Sequence, residues 1–444
     1  YIRDGLFANH RNLQTVVIGA SVTSIGEDAF KAAPISSLII GANVTSIGDD
    51  AFNGVNGDVF ILKPAQENFD IYNFTSMANV YACDSLDDAG VSQGCEQAYP
   101  GVTYTKLDGP AALALIDADG HAEIPDTYTS IGADAFKNSN LKSVTIPDTI
   151  TSIGDYAFYQ AELTSVTIPA SVTSISDYAF YNSGCSTYSW ESGCKKLGQV
   201  IFAEGSQLEA IGNSAFYNNN LTSVVIPDSV TYIGNSAFQE NYNLATLTLG
   251  NSVEVIEDYA FRYTGITSLV IPDSVVKIDN YAFYNNESLI SVVIGDGVEY
   301  LGEQVFRNNY SLTSVVIGDS LTQIPYRTFR DNYNLNSVVI GDSVSYIGEQ
   351  AFYNANNLTS LTLGSSVEYI ATNAFRFTGI TSLVIPDSVT QIDNCAFGCE
   401  NDEQQYKQLE SVVIGDSLTY IRDGLFANHR NLQTVVIGAS VTSI

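Results

Sequence analysis

The chain has few of the residues that most chemistry requires. It holds three histidines in 444 residues. Two of them, His10 and His429, occupy the same place in a duplicated segment, which leaves His121 as the only other imidazole. No G-x-S-x-G, H-E-x-x-H or phosphate-loop glycine pattern occurs, and carboxylates repeated at regular intervals form no singular cleft with a perturbed acid–base pair. No enzyme, metal site or cofactor is expected. Basic residues are also scarce, with 18 Lys and Arg against 49 Asp and Glu and a net charge of −31. The largest basic cluster is Lys195-Lys196, which excludes nucleic acid and anionic membrane surfaces as partners because both demand concentrated positive charge. The acidity suits the solubility of a long, apolar-rich body. No apolar run approaches the 18 or so residues of a membrane span. A signal peptide and an initiator Met are missing too. The chain opens on Tyr1-Ile2-Arg3 and closes on Thr442-Ser443-Ile444, each inside a repeat, and so reads as a segment of something longer whose targeting signals lie elsewhere.

What the chain does have is repetition. LTSVVIPDSVTYIGNSAF at 221–238 recurs in variant form from end to end, most often every 22 or 23 residues. A fixed period of this size marks a solenoid, in which each unit buries its apolar residues only against its neighbours. Within the unit, Val224 and Ile226 alternate inward on a short strand, and Leu221 anchors the preceding loop. Pro227 stops the strand, and Asp228 and Ser229 supply turn chemistry. Val230 and Ile233 form a second inward segment, and Asn235 is expected to cap a short helical turn that carries Ala237 and Phe238 into the core. Six or seven inward side chains at roughly 2 kcal/mol each do not offset roughly 1–2 kcal/mol of backbone entropy per ordered residue, so stacking is obligatory. The expected fold is an α/β repeat solenoid with short parallel strands and short helical turns.

The Phe that ends each unit tracks the array. The spacing lengthens to 36 residues between Phe180 and Phe216 and to 29 between Phe397 and Phe426. These mark insertions at 183–199 and 400–407. Residues 1–53 read as repeats, 54–112 as a degenerate spacer in which repeat packing continues with irregular loops, and 113–419 as repeats again. The first 25 residues return without a change as 420–444, an offset of 419. Neighbouring coils differ at many positions, so this identity implies blocks in tandem or one period of a continuous structure plus an overlap.

The six cysteines form three close pairs, Cys83 with Cys95, Cys185 with Cys194 and Cys395 with Cys399. Disulfides there would tie off loops that lack their own core and imply an oxidising compartment. Free buried thiols are the alternative, above all for Cys395. Stacking turns each repeat position into a column. The turn after the strand holds Asp148, Asp228, Asp273, Asp319, Asp342, Asp387 and Asp416, a row able to bind Ca²⁺ or simply to serve as turn residues. A column before the second inward Ile holds Tyr300, Tyr346, Tyr369 and Tyr420, with Gln323 and Gln391 between them. These tyrosines are candidates for stacking on sugars or a neighbouring protein, or for lateral packing alone. N-x-[ST] sequons stand at Asn43, Asn73, Asn220, Asn286, Asn309 and Asn357.

The pattern L-x-S-V-x-I-P-D-S-V-T-x-I-G-x-x-A-F closely resembles the BspA-like leucine-rich repeats of bacterial surface proteins and large protist families. The resemblance covers nearly all of the chain except roughly 54–112 and the two insertions. It implies a curved or twisted solenoid, secreted or displayed at the cell surface, with adhesive or binding roles in some members, and it brings no catalytic residues. Two departures are visible. The Gly after Ile is replaced by Ser176, Glu257, Asp279, Pro325, Ala371, Asp393 or Arg422, and the Pro after the strand is often Gly, as at Gly318 and Gly341. The expected function is an extracellular filament or surface stalk that partners itself by covalent continuation or head-to-tail docking. The alternative is an adhesin or receptor that binds a host protein or glycan through the solenoid face.

Overall fold

The structure, a computed structural model, describes residues 1–52 apart from Arg11, Ala20, Ala42 and Asp49, and the backbone of five short strands between 58 and 97. It also describes residues 105–183, 197–399, and 408–443 apart from Asn428. The chain divides into two compact units, Tyr1–Asp108 with Ile124–Gly132, and Gly109–Glu123 with Ala133–Ile444.

The second unit is a stack of parallel-strand coils. In the coil at 221–238, Leu221, Val224, Ile226, Val230, Ile233, Ala237 and Phe238 are all buried, the inward set that alternation predicts. Ser223–Val225 pairs in parallel with Thr246–Thr248, and Tyr232–Ile233 with Val255–Ile256. The two-residue strands form an unbroken ladder from Ser152–Ile153 to Tyr300–Leu301. The longer strands do so from Ser268–Ile271 to Ser360–Thr362.

The turn that carries Ala-Phe is not helical, and the only α-helix among the described residues is Gly109–Ala114. In the coil ending at Phe216, Ser214 and Asn218 have φ of 52° and 53°, in the left-handed region. The same two positions are left-handed in coil after coil, even where they hold Tyr259, Tyr263 or Arg327. The cause is an alternation of amide directions. Ser214, Phe216 and Asn218 donate along the axis to Asn235, Ala237 and Gln239 carbonyls of the next coil at 2.8 Å each, while Ala215 and Tyr217 donate back within their own turn. A helix would spend all these groups internally; alternating them binds each coil to the next.

Two side-chain columns complete the core. Phe rings stack from coil to coil, with centroids 5.2 Å apart for Phe216–Phe238 and Phe238–Phe261 and planes within 8° and 2°. Three residues after nine of the Phe stands a buried amide or hydroxyl, as at Asn219, Asn241, Thr264, Asn286, Asn309 and Asn332. Asn309 Nδ2 donates to Phe283 O and Phe306 O at 3.2 and 3.1 Å, and Asn332 Nδ2 donates to Phe306 O and Phe329 O at 3.0 Å each. The Oδ1 atoms of Asn309 and Asn332 accept the N–H of Asn286 and Asn309 at 2.6 and 2.7 Å. Where Ala355 takes this place, its own N–H turns back to Phe352 O at 3.2 Å.

The insertions leave the stack in register. Phe180 and Phe216 lie 5.0 Å apart although 36 positions separate them, and Ser165–Ile168 pairs directly with Gln199–Phe202.

The first unit holds Thr15–Ile18, Ser37–Ile40, Asp58–Leu62 and Val80–Cys83 in one parallel ladder, with Phe7, Phe30 and Phe52 stacked at 5.1 and 5.3 Å. After Cys83 the direction changes. Glu96–Gln97 pairs antiparallel with Tyr81 and Ala82, and Ser85–Leu86 pairs antiparallel with Ser92–Gln93. The parallel ladder thus runs on as far as Val80–Cys83 and gives way to antiparallel pairing after it. Cys83 and Glu96 are thirteen positions apart, too few for a coil but enough for an antiparallel return.

Candidate interaction surfaces

Five members of the Asp column are tied into the fold. Asp228, Asp273, Asp342, Asp387 and Asp416 each accept the backbone N–H of the following coil's turn, from Asn251, Asp296, Ser365, Asp416 and Ala439, at 2.8–2.9 Å. Each carboxylate thus serves one neighbouring amide. That bond from Ser365 holds the Asp342 carboxyl below the usual range. Among the described residues no group of three or more His, Cys, Asp or Glu side chains gathers to hold a metal ion.

The Tyr300, Tyr346, Tyr369 and Tyr420 column lies on the outer side of the two-residue strands. Tyr300 and Tyr420 are exposed; Tyr346 and Tyr369 are half-buried. The Tyr346 and Tyr369 rings pack laterally at 5.2 Å. The Tyr369 hydroxyl donates to Asp393, and this bond, with burial, pushes its pKa up to about 12. At Tyr300 the neighbouring coil supplies Lys277, whose Nζ stands 5.9 Å from the ring centre and 2.6 Å from Asp279. With Gln323 and Gln391 interposed, the column is a broken line of rings rather than a platform.

The sequons divide. Asn43, Asn220 and Asn357 are exposed, whereas Asn286 and Asn309 have 0% exposure. The latter two belong to the buried amide ladder, so the reading of Asn286 and Asn309 as glycan acceptors is corrected: a glycan on either would remove the amide from its column. Asn73 lies outside the described residues. Cys395 and Cys399 are joined by a disulfide, their Cα atoms 4.7 Å apart. The Cys83 side chain and Cys95, Cys185 and Cys194 lie outside the described residues.

Two surfaces were not singled out from the sequence. The outward position of the longer strands is an apolar row that includes Val225, Val270, Val293, Val316, Val339 and Val384, with Val225 and Val270 63% and 65% exposed. Alternation announces it, since an inward Val224 and Ile226 leave Val225 outward. The row contains an open groove of about 620 Å³ between 199–206 and 223–229, with Ile201, Glu204, Val225 and Asp228 on its walls. The strands that flank it, Gln199–Phe202 and Ser223–Val225, belong to separate sheets.

The other surface is the set of turns beside the Phe column. Tyr156 and Tyr178 stack at 4.8 Å, Tyr159 and Tyr181 at 5.1 Å, and Tyr181 and Tyr217 at 4.7 Å. Tyr217 donates to Glu240 at 2.6 Å, and burial together with that bond raises its pKa. Farther along, arginines enter the same rows. The Arg262 guanidinium lies 4.5 Å from the Tyr263 ring centre and 5.2 Å from those of Tyr259 and Tyr284. Arg327 lies over Tyr326 at 4.4 Å and Arg330 over Tyr353 at 4.6 Å. The signal available in the sequence was the residue after each Phe, which is Arg at 262, 307, 330 and 376.

Parallel coils of 22 or 23 residues with a buried Asn or hydroxyl column define a leucine-rich-repeat solenoid. The family model described as the BspA type leucine rich repeat region (6 copies) matches residues 1–91, 121–210, 209–336 and 322–444. The chain belongs to the BspA-type leucine-rich repeat family. It is similar to the crystal structure of a leucine-rich repeat protein from Bacteroides ovatus ATCC 8483, with 24% identity, a TM-score of 0.57 and coverage of 95% of this chain and 91% of that one. It also matches a leucine rich cell surface protein from Faecalibacterium prausnitzii A2-165 at 24% identity and a TM-score of 0.35, over 72% of this chain and 92% of that one. A third match is the pneumococcal vaccine antigen PcpA, at 17% identity and a TM-score of 0.40 over 98% and 92% of the two chains. No curated protein matches the sequence. The chain is thus a repeat scaffold, and no helix among its described residues is long and apolar enough to cross a membrane.

Proposed function

We propose that the chain is a structural scaffold of an extracellular filament or surface stalk, built from blocks with a 419-residue period. The observation that carries this is the identity of 1–25 with 420–444, together with a backbone bond that the two segments share. Ile2 N donates to Ser24 O at 2.9 Å, and Ile421 N donates to Ser443 O at 3.0 Å. Blocks of this kind would be joined covalently or by one copy docking head to tail on another. Location outside the cell is supported by the Cys395–Cys399 disulfide. The work such a body does is mechanical, with ladders and core carrying load along the axis. Electron microscopy of purified native material tests it: periodic fibres are expected, and discrete short particles at every concentration would refute it.

A second reading, an adhesin or receptor, is favoured by the exposed Val row and the aromatic turns, surfaces that no filament contact along the axis requires. Its support is chemical, since apolar rows and Tyr-rich faces are what binding partners use.

A further inference from the structure

We infer that the turns from Phe261 to Phe377 bind an acidic polysaccharide, its carboxylate or sulfate groups held by Arg262, Arg307, Arg327 and Arg330. This rests on the binding reading and specifies its ligand.

The first ground is charge placement. The chain carries 18 Lys and Arg against a net −31, yet five of those cations, Arg262, Arg307, Arg327, Arg330 and Arg376, stand beside the Phe column in four of the six coils from Phe261 to Phe375. Repulsion within a polyanion does not call for this clustering, and an anionic partner is what it complements.

The second ground is that the cluster is under-neutralised. Asp331 is shared by Arg307 at 3.3 Å and Arg330 at 3.1 Å. Among the described residues no carboxylate lies within ion-pair reach of Arg262 or Arg327. Arg262 Nη2 reaches the Tyr263 hydroxyl at 3.0 Å, and its Nε is buried without a hydrogen-bond partner. Arg327 Nε donates to the neutral Gln350 Oε1 at 2.9 Å, an atom that Arg330 Nη1 also uses. Half-buried guanidinium groups held against rings and lacking an anion are costly unless one arrives, and a planar guanidinium takes a carboxylate or sulfate through two parallel N–H bonds.

The third ground is spacing. Phe centroids advance by 5.3, 5.5, 5.4 and 5.2 Å from Phe261 to Phe352, so cations recur at every coil or every second coil of this stack. Tyr259, Tyr263, Tyr281 and Tyr284 beside them pack by their rings against Arg262 or one another, and with Asn285 and Asn308, which already bond Glu287 and Tyr284, they give the row a surface of hydroxyls and amides. That mixture suits a chain of sugar rings with an acidic group on some of them better than it suits a peptide, which would seek the apolar Val row or a free strand edge.

The test uses the full chain immobilised against polygalacturonate (carboxylate), dextran sulfate (sulfate), neutral dextran and poly-L-glutamate. Retention of at least one acidic glycan, weakening with added salt, and none of neutral dextran is expected. Gln350→Glu places a carboxylate between Arg327 and Arg330 with almost no change of shape, and should cut binding at least tenfold while the protein stays folded. Arg262→Gln with Arg327→Gln should do the same. Failure to bind either acidic glycan, equal retention on poly-L-glutamate, or binding indifferent to Gln350→Glu would overturn the inference. Retention of neutral dextran alone would also overturn it but leave the binding reading standing.

Discussion

Replacing Asn309 with Ala tests the amide ladder at its centre. The side chain is fully buried and makes three bonds, two to carbonyls and one from an amide. Phe306 O keeps its second donor, Asn332 Nδ2. Phe283 O and the Asn286 N–H lose their partners. At about 1–3 kcal/mol per buried group left unsatisfied, the loss is about 2–6 kcal/mol. The coil might be supposed to relax as Ala355 does, by turning its own N–H back to the Phe carbonyl, but that amide already serves Asn332 Oδ1, so relaxation moves the vacancy one coil along without filling it. Asn309→Asp should cost more, because it keeps the acceptor and aims a carboxylate at two carbonyls. Stacked coils need not unfold in one step, so the readout is hydrogen exchange of the Asn286 amide together with the denaturation midpoint. Unchanged protection, with a stability change within 0.5 kcal/mol of zero, would refute the ladder's role.

Four further outcomes are expected. Gly302→Ala should destabilise by about 1–3 kcal/mol, because a Cβ there would stand 2.5 Å from Asn280 N and 2.6 Å from Asp279 C in the coil before; calorimetry checks it. The lowered pKa of Asp342 means that its contribution is complete above the ordinary value of 3.8 and is lost as pH falls through the depressed one, so Asp342→Asn should reduce the acid sensitivity of the melting temperature. The raised pKa of Tyr369 has the opposite sign, with its contribution complete below 10 and lost as pH rises toward about 12, which the difference in alkaline absorbance titration between the protein and Tyr369→Phe should show. Expressed through a secretory pathway that attaches N-glycans, Asn220 and Asn357 should accept them while Asn286 and Asn309 stay bare, as read by peptide mass.

The inward side of this fold was legible because burial has a period: Leu221, Val224, Ile226, Val230, Ile233 and Phe238 announce themselves by spacing alone. The turn around Phe238 was not. Asn235 before Ala237-Phe238 reads as a helix cap in any local account, and only the next coil's carbonyls explain why alternate amides there point along the axis. The sequons failed for the same reason. Asn286 and Asn220 both sit just past a Phe in N-x-[ST], yet one position of difference sends the first into the core and the second to solvent. The Arg and Tyr rows were not legible because each coil holds only a few of them, and a surface assembled across coils has no motif within any coil.

The undisturbed stacking of Phe180 on Phe216 has a use beyond this chain's own history. Loop-closure entropy grows only with the logarithm of loop length, and here a junction that already admits 36 positions in place of 22 or 23 keeps its ring spacing at 5.0 Å. That junction is a grafting point: a foreign peptide spliced between Ser183 and Leu197 would be carried at a fixed height on a regular ruler, its copies repeated wherever the ruler is.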